Sequence, residues 1–278
     1  MSCCVLLTGA TGFVGRQILS ALQNAGVDVR LVIRTGSEDR LRRNSPRDRI
    51  ATPDLFAEDA AWWSKACAGV DIVIHAAWYA EPGKYLRADV NIDCLQGTVQ
   101  LAKGAAAAGV RRFIGVGTCF EYDMSGGYLV KDTPLLPITP YAGAKAATYL
   151  ALNKWLPQKG VEFVWCRLFY LYGEGEDSRR LFPYVRARIE AGEPVELTSG
   201  TQIRDYLDVA VAGAQIATIA LGDVTGAHNI CSGQAQTVRQ LAEQIADEYG
   251  RRDLLKFGAR ADNLTDPPCV VGIRSEIC

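Results

Sequence analysis

An α/β fold built on a doubly wound parallel sheet is what this sequence predicts, and three observations predict it. Short apolar runs alternate with longer helical stretches from the first residues onward. The runs are apolar almost continuously, as strands covered on both faces are. The stretches between them are long enough for the crossovers that parallel strands require. The strands are read at Cys4–Leu7, Val29–Ile33, Ile72–His75, Phe113–Val116, Phe163–Leu168 and His228–Ile230. Helices are read at Arg16–Ala25, with Ile18, Leu19 and Leu22 on one face, at Asn91–Gly109 and at Ala142–Gln158.

The pattern loosens near Tyr170. Gly173-Glu174-Gly175-Glu176-Asp177 reads as a polar loop, Leu181–Ala191 as a helix and Pro194–Thr198 as a short strand. Gln236–Gly250 is an amphipathic helix that Thr237 can cap, with Gln240 three residues on. The last stretch, with Pro267-Pro268, reads as irregular. A chain of 278 residues fits one α/β domain with a modest appendage.

Composition removes several classes. With 30 basic and 31 acidic residues and a net charge of −1, no nucleic-acid partner is expected. No segment approaches the roughly 20 consecutive apolar residues of a membrane helix, and the opening run lacks signal-peptide features. The nine cysteines, Cys3, Cys4, Cys67, Cys94, Cys119, Cys166, Cys231, Cys269 and Cys278, are scattered. They read as reduced thiols of a cytoplasmic protein. With only His75 and His228 and no clustered ligands, no metal site is expected.

Thr8-Gly9-Ala10-Thr11-Gly12-Phe13-Val14-Gly15 lies between an apolar strand and a helix. Glycines three apart let the backbone turn tightly and approach a pyrophosphate, with the amides of the helix start aimed at it. The second strand ends in Ile33-Arg34, with Arg40, Arg42 and Arg43 near in sequence. An arginine there suits a ribose 2′-phosphate where an acidic residue would suit a hydroxyl. NADP(H) is therefore favoured over NAD(H); the other reading makes Arg34 a solvated surface charge. Tyr141 and Lys145 share a face at the start of a helix. An ammonium beside a phenol favours the phenolate and lowers the tyrosine pKa from about 10.

These motifs, Asp71-Ile72-Val73-Ile74-His75-Ala76-Ala77, Thr118 after a strand, and Gly200–Tyr206 with its Arg204-Asp205-Tyr206 occur in one order along the chain. In that order the sequence closely resembles the extended short-chain dehydrogenase/reductases, in their NAD(P)-dependent epimerase/dehydratase branch. The resemblance implies a Rossmann-like sheet over residues 1–170 and a small C-terminal α/β substrate-binding appendage over 171–278, with 228–250 returning to the main domain. It implies that Gly9, Thr11, Gly12, Phe13, Val14 and Gly15 hold the pyrophosphate, that Arg34, Asp54 and Leu55 face the adenosine, and that Ala76 and Ala77 line the cofactor. Thr118 would hold the substrate oxygen, Tyr141 would transfer its proton and Lys145 would hold the nicotinamide ribose. Arg204 would bind a substrate diphosphate; pairing with Asp205 or Asp208 is its other reading. Cys119, Phe120 and Tyr170 would border the substrate. Tyr170 stands where the family often has asparagine, and Gly173-Glu174 replaces its Gly-Pro.

The reaction is read from Thr118-Cys119-Phe120-Glu121-Tyr122. Related dehydratases carry Asp-Glu directly after the threonine, and Phe120 cannot move a proton. Glu121, one position later on a segment read as strand-like, would point elsewhere. The later loop has no histidine to partner Cys119 in a double epimerisation. That leaves two reactions. The arginine-ended second strand, with the resemblance of Gly117–Tyr122 to nucleotide-deoxysugar reductases, favours reduction of a nucleotide-linked 4-keto-6-deoxysugar by NADPH. A nucleotide-sugar 4-epimerase and a non-catalytic NADP(H) sensor are the alternatives. Alanine-rich faces at Ala105–Ala108 and at Ala144, Ala146, Ala147 and Ala151 suggest a homodimer through the family's paired helices, or packing on the chain's own sheet.

Overall fold

Side chains along the strands sort alternately to two faces. Val5, Leu7, Leu31, Ile33, Ile72, Ile74, Ile114 and Val116 are buried in one core, and Leu6, Val32, Val73, Phe113, Phe163 and Trp165 in the other. A period of two with both faces apolar is the signature of a sheet between helix layers. Each such side chain fully buried contributes about 1.5–3 kcal/mol. The computed structural model describes residues 3–41, 44–263 and 266–274, so Arg42, Arg43 and Cys278 lie outside the described residues.

β1 (Cys4–Thr8), β2 (Asp28–Arg34), β3 (Arg49–Thr52), β4 (Ile72–His75) and β5 (Arg112–Thr118) join Glu162–Leu168 and Gly226–Ile230 in one parallel sheet. Its order is Gly226–Ile230, Glu162–Leu168, β5, β4, β1, β2, β3. The order reverses between β1 and β4, which opens a crevice outside their carboxyl ends, where ligands of such folds bind. α1 (Phe13–Asn24) and α6 (Val209–Leu221) cover the first core. α2 (Ala60–Ala66), α3 (Val90–Ala107) and α4 (Pro140–Trp155) cover the second. α5 (Leu181–Glu190) and α7 (Val238–Glu248) enclose a separate cluster with Val195 and Leu197.

Several expectations need correction. β3, α2 and α6 were not foreseen. Gln236–Thr237 pairs with Ile203–Arg204 as a strand, so α7 begins at Val238, capped by Thr237 and Gln240 as expected. Of residues 228–250, the helix α7 packs on α5 rather than on the main sheet. The carboxyl-terminal stretch, read as irregular, contains two short strands: Leu255–Phe257 pairs with Val195–Leu197, and Cys269–Gly272 lies between Ile203–Arg204 and Tyr128–Leu129. Cys119–Glu121 is a 3-10 turn rather than a strand. Ala105, Ala144 and Ala146 are buried within the chain, so on α4 Leu150, Ala147 and Ala151 form the outward face.

Candidate active site

The crevice is built from the end of β1. Gly9 has φ +76°, and a Cβ there would lie 2.7 Å from the Ala77 amide nitrogen and 2.8 Å from the Ala76 carbonyl carbon. A Cβ on Gly15 would come within 2.1 Å of the Gly9 oxygen. Only glycine allows the turn and this approach. The Gly12 amide donates to the Gly9 carbonyl at 2.9 Å. Gly12 then caps α1 with no side chain, and the first turn, which carries Phe13, Val14 and Gly15, holds no acidic residue. Free amides and an uncompensated positive helix end make a cradle for an anion. Arg16 steadies it through the Thr11 carbonyl, at 3.4 Å.

Along the same edge, Arg34 ends β2 exposed, and its carbonyl accepts the Ser37 hydroxyl at 2.6 Å. Asp54 forms a turn after β3, accepting from the Phe56 amide at 3.0 Å, while Leu55 packs on the second core. Ala76 and Ala77 follow β4 and face the Gly9 turn. The cradle, the open edge and the small residues opposite it fit a dinucleotide.

His75 fixes the Ala77 side of this crevice. Thr98 Oγ1 donates to the Cys94 carbonyl at 2.7 Å, so it must accept from His75 Nε2 at 2.9 Å. Nδ1 then accepts from Thr8 Oγ1 at 2.8 Å, and that oxygen accepts from the Ala77 amide at 3.3 Å. Burial holds the imidazole neutral, with its pKa lowered to about 3.

Thr139 caps α4 by accepting from the Ala142 amide at 3.2 Å, and Pro140 begins the helix. This sets Tyr141 and Lys145 one turn apart beside the end of β5. The Tyr141 phenol lies close enough to the Thr118 hydroxyl for that group to act on its pKa. The Tyr85 and Trp78 rings meet it edge-on, at 4.8 and 6.4 Å. Burial, then Tyr85, pushes the phenol pKa up, against the lowering effect of Thr118. Lys145 Nζ instead donates to the Val116 carbonyl at 2.6 Å and lies 3.7 Å from the centre of the Trp78 ring. Its pKa falls to about 7 through burial. The sequence expectation of a lowered tyrosine pKa is thus reversed here: burial and Tyr85 raise it, and the Lys145 amine is turned to the Val116 carbonyl instead.

Residues 5–230 match the model of the NAD dependent epimerase/dehydratase family. The chain belongs to that family. It is an NAD(P)-dependent oxidoreductase of this type. It is 25% identical over 280 residues to a dTDP-6-deoxy-L-talose 4-dehydrogenase (NAD(+)) of Aggregatibacter actinomycetemcomitans, covering 97% of this chain and 99% of that protein. It is 26% identical to a GDP-6-deoxy-D-mannose reductase of Pseudomonas aeruginosa over 258 residues, 87% of this chain and 79% of that one. In fold it is similar to a UDP-N-acetylglucosamine 4-epimerase of Methanobrevibacter ruminantium, with TM-score 0.84 and 23% identity over 99% of this chain and 91% of that chain.

The epimerase/dehydratase fold brings the expected substrate side of the site together on the other flank of Thr118. Burial pushes the Cys119 thiol up to about 12, with the Glu121 charge adding to it. Phe120 packs edge-on to Tyr170 at 6.1 Å, and the Arg204 guanidinium lies 5.3 Å from the Tyr170 ring centre. Arg204 is buried and pairs with neither Asp205 nor Asp208. Its partner is Asp266, at 2.6 Å. Asp205 is saturated by Ser232, Gly233 and the Gly272 amide, and Asp208 caps α6 at the Ala210 amide. In the polar loop, a Cβ on Gly175 would lie 2.9 Å from Arg16 Nη1, so this loop reaches the start of α1. Among the described residues, no group of three or more His, Cys, Asp or Glu side chains is placed to hold a metal ion, and no helix is long and apolar enough to cross a membrane.

Sequence reasoning missed Glu121. It does not point idly away: its buried carboxylate accepts from the Thr118 amide at 2.8 Å, from Trp165 Nε1 at 3.0 Å and from Arg167 Nε at 2.7 Å. The legible signal was Thr118-x-x-Glu121, the spacing of a capping box.

Proposed function

We propose that the protein reduces the keto group of a nucleotide-linked 4-keto-6-deoxysugar with NADPH, Tyr141 delivering the proton. The observation that carries this reading is the Tyr141 phenol, held protonated by burial against Thr118. A proton donor to a developing alkoxide must keep its proton until the oxygen becomes basic. Beside it, Phe120 has no proton to give, and the Cys119 thiol, with its pKa raised to about 12, is no base at neutral pH. Elimination of water and double epimerisation each need such a group. Similarity to the dTDP-6-deoxy-L-talose 4-dehydrogenase and the GDP-6-deoxy-D-mannose reductase supports the substrate class.

NADPH, when bound, supplies the hydride. Gly9, Thr11, Gly12, Phe13, Val14 and Gly15 would hold its pyrophosphate, and Arg34 its 2′-phosphate. Asp54 and Leu55 would hold the adenine, Ala76 and Ala77 would line the crevice, and Lys145 would hold the nicotinamide ribose. Thr118 orients the carbonyl oxygen and Tyr141 protonates it. Arg204 meets the diphosphate of the sugar nucleotide by exchanging Asp266 for it, a planar guanidinium suiting either anion. Phe120 and Tyr170 flank the sugar. In this reading residues 1–170 carry the dinucleotide, 171–278 mostly the substrate, and two copies associate through the outward faces of α3 and α4.

The test is loss of NADPH absorbance with a panel of nucleotide-linked 4-keto-6-deoxyhexoses. Stoichiometric loss is expected; inversion of the sugar with no net NADPH loss would identify a 4-epimerase and overturn the reading. Tyr141→Phe should cut the rate by about 100-fold or more and retain NADPH binding. An unchanged cellular role for this variant would mark a non-catalytic sensor.

A further inference from the structure

Glu121 lies behind the catalytic pair rather than in the crevice. Three residues after Thr118, on a turn with three residues per revolution, its carboxylate returns beneath the Thr118 amide and accepts from it at 2.8 Å. Trp165 Nε1 donates to both of its oxygens at 3.0 Å. The same indole faces Lys145, whose Nζ is 5.8 Å from the ring centre. Gly117 clears the space: a Cβ there would lie 2.2 Å from Trp165 Nε1 and 2.5 Å from Glu121 Oε1. Arg167 closes the far side at 2.7 Å, its guanidinium between the rings of Tyr122 and Tyr149 at 4.5 and 4.4 Å.

We propose that Glu121 is a positioning residue of this active site, fixing the main chain that carries Thr118 and standing as the buried carboxylate behind the indole that Lys145 faces. This rests on the reading that Thr118, Tyr141 and Lys145 do the proton chemistry. The groups around Lys145 leave the role to Glu121. His75 on β4 is neutral, Cys94 on α3 is a thiol whose pKa burial raises, Tyr141 on the same helix is protonated, and Arg167 is itself paired with Glu121. Burial draws the lysine down to about 7, and the Glu121 charge is the largest effect opposing it. The lysine therefore sits near its titration point, where one nearby charge decides its state.

The experiment follows two pH profiles of the full chain, NADPH affinity by fluorescence and kcat/KM, for wild type and Glu121→Gln. Loss of the carboxylate should move the alkaline limb of both to lower pH by about one unit. Lys145→Met, which has no ammonium to titrate, should abolish that limb and so identify it. If Glu121→Gln fails to fold, Glu121→Gln/Arg167→Gln removes the unpaired buried cation and should show a smaller displacement in the same direction. A limb that stays at the wild-type pH while thermal stability falls would reduce Glu121 to a structural role and overturn the proposal. A displaced binding limb with no turnover on any sugar nucleotide would support it and count against the substrate reading alone.

Discussion

The His75 chain makes the acid stability of the protein calculable. The imidazole is buried between two threonines, each of whose protons is committed, so the fold accepts only the neutral Nε2–H form. Its pKa is lowered from 6.5 to about 3, chiefly by burial and then by the Lys145 charge. The sign follows from linkage. Below pH 6.5 the unfolded chain takes up a proton that the folded chain refuses, so stability is full above 6.5 and is lost progressively as pH falls toward 3. Between pH 7.5 and pH 5.0 this one group removes about 2 kcal/mol of folding stability. Urea denaturation across that range, for wild type and His75→Asn, isolates it. His228, also lowered by burial, and Glu176, raised by it, titrate alike in both proteins and cancel in the difference. The variant should be less stable at pH 7.5 by about 1–3 kcal/mol, since Thr8 and Thr98 lose their partner, and the gap should narrow by about 2 kcal/mol at pH 5.0. A gap independent of pH would show that the folded state admits the imidazolium and would refute the proton ordering.

Gly9→Ala places a methyl against the Ala76–Ala77 backbone at a left-handed φ. It should cost about 1–3 kcal/mol of strain and weaken NADPH binding, measured by fluorescence titration, by more than tenfold; normal affinity would mean that the crevice is not the pyrophosphate site. Arg204→Ala should weaken nucleoside diphosphate binding by about 10- to 100-fold with NADPH affinity unchanged. Asp266→Asn, which frees the guanidinium, should preserve or tighten diphosphate binding in the same calorimetric titration.

What the sequence disclosed of the fold tracks the range of the physics involved. β1, β2, β4 and β5 were legible because a strand buried on both faces is apolar in itself, whatever it pairs with. α7 was legible because Thr237 and Gln240 satisfy each other locally. β3 reads Arg-Ile-Ala-Thr and is an edge strand paired with β2 alone, so its own residues carry little strand signal. α6 carries only Gln215 and Thr218 as polar side chains, too few to make the polar face that marks a surface helix. Cys269–Gly272 is a strand because Ile203–Arg204 and Tyr128–Leu129 lie on either side of it, and neither is near it in sequence.

The site divides in the same way, and the division bears on mechanism. Gly9, Gly12, Gly15, Tyr141 and Lys145 act through neighbours three or four positions away, and their spacing states their geometry. The charge state of the pair is not local. Lys145 is balanced between burial, which removes its proton, and the Glu121 carboxylate, which returns it. The Tyr141 phenol is raised by the same burial. A tyrosine and a lysine one turn apart therefore specify where a proton can move, but the pH at which it moves is set by what the sheet and the 3-10 turn place behind them. Arg204 shows the converse limit. Its sequence neighbours offered Asp205 and Asp208, yet Asp205 is engaged by Ser232, Gly233 and Gly272, far from it in sequence, and Asp208 caps α6. Both carboxylates are already engaged, and the guanidinium pairs with Asp266, the acidic group that is partly open to solvent. A partly exposed carboxylate is also the one a diphosphate can displace without leaving a buried charge unpaired, which is why this ion pair is compatible with a binding role.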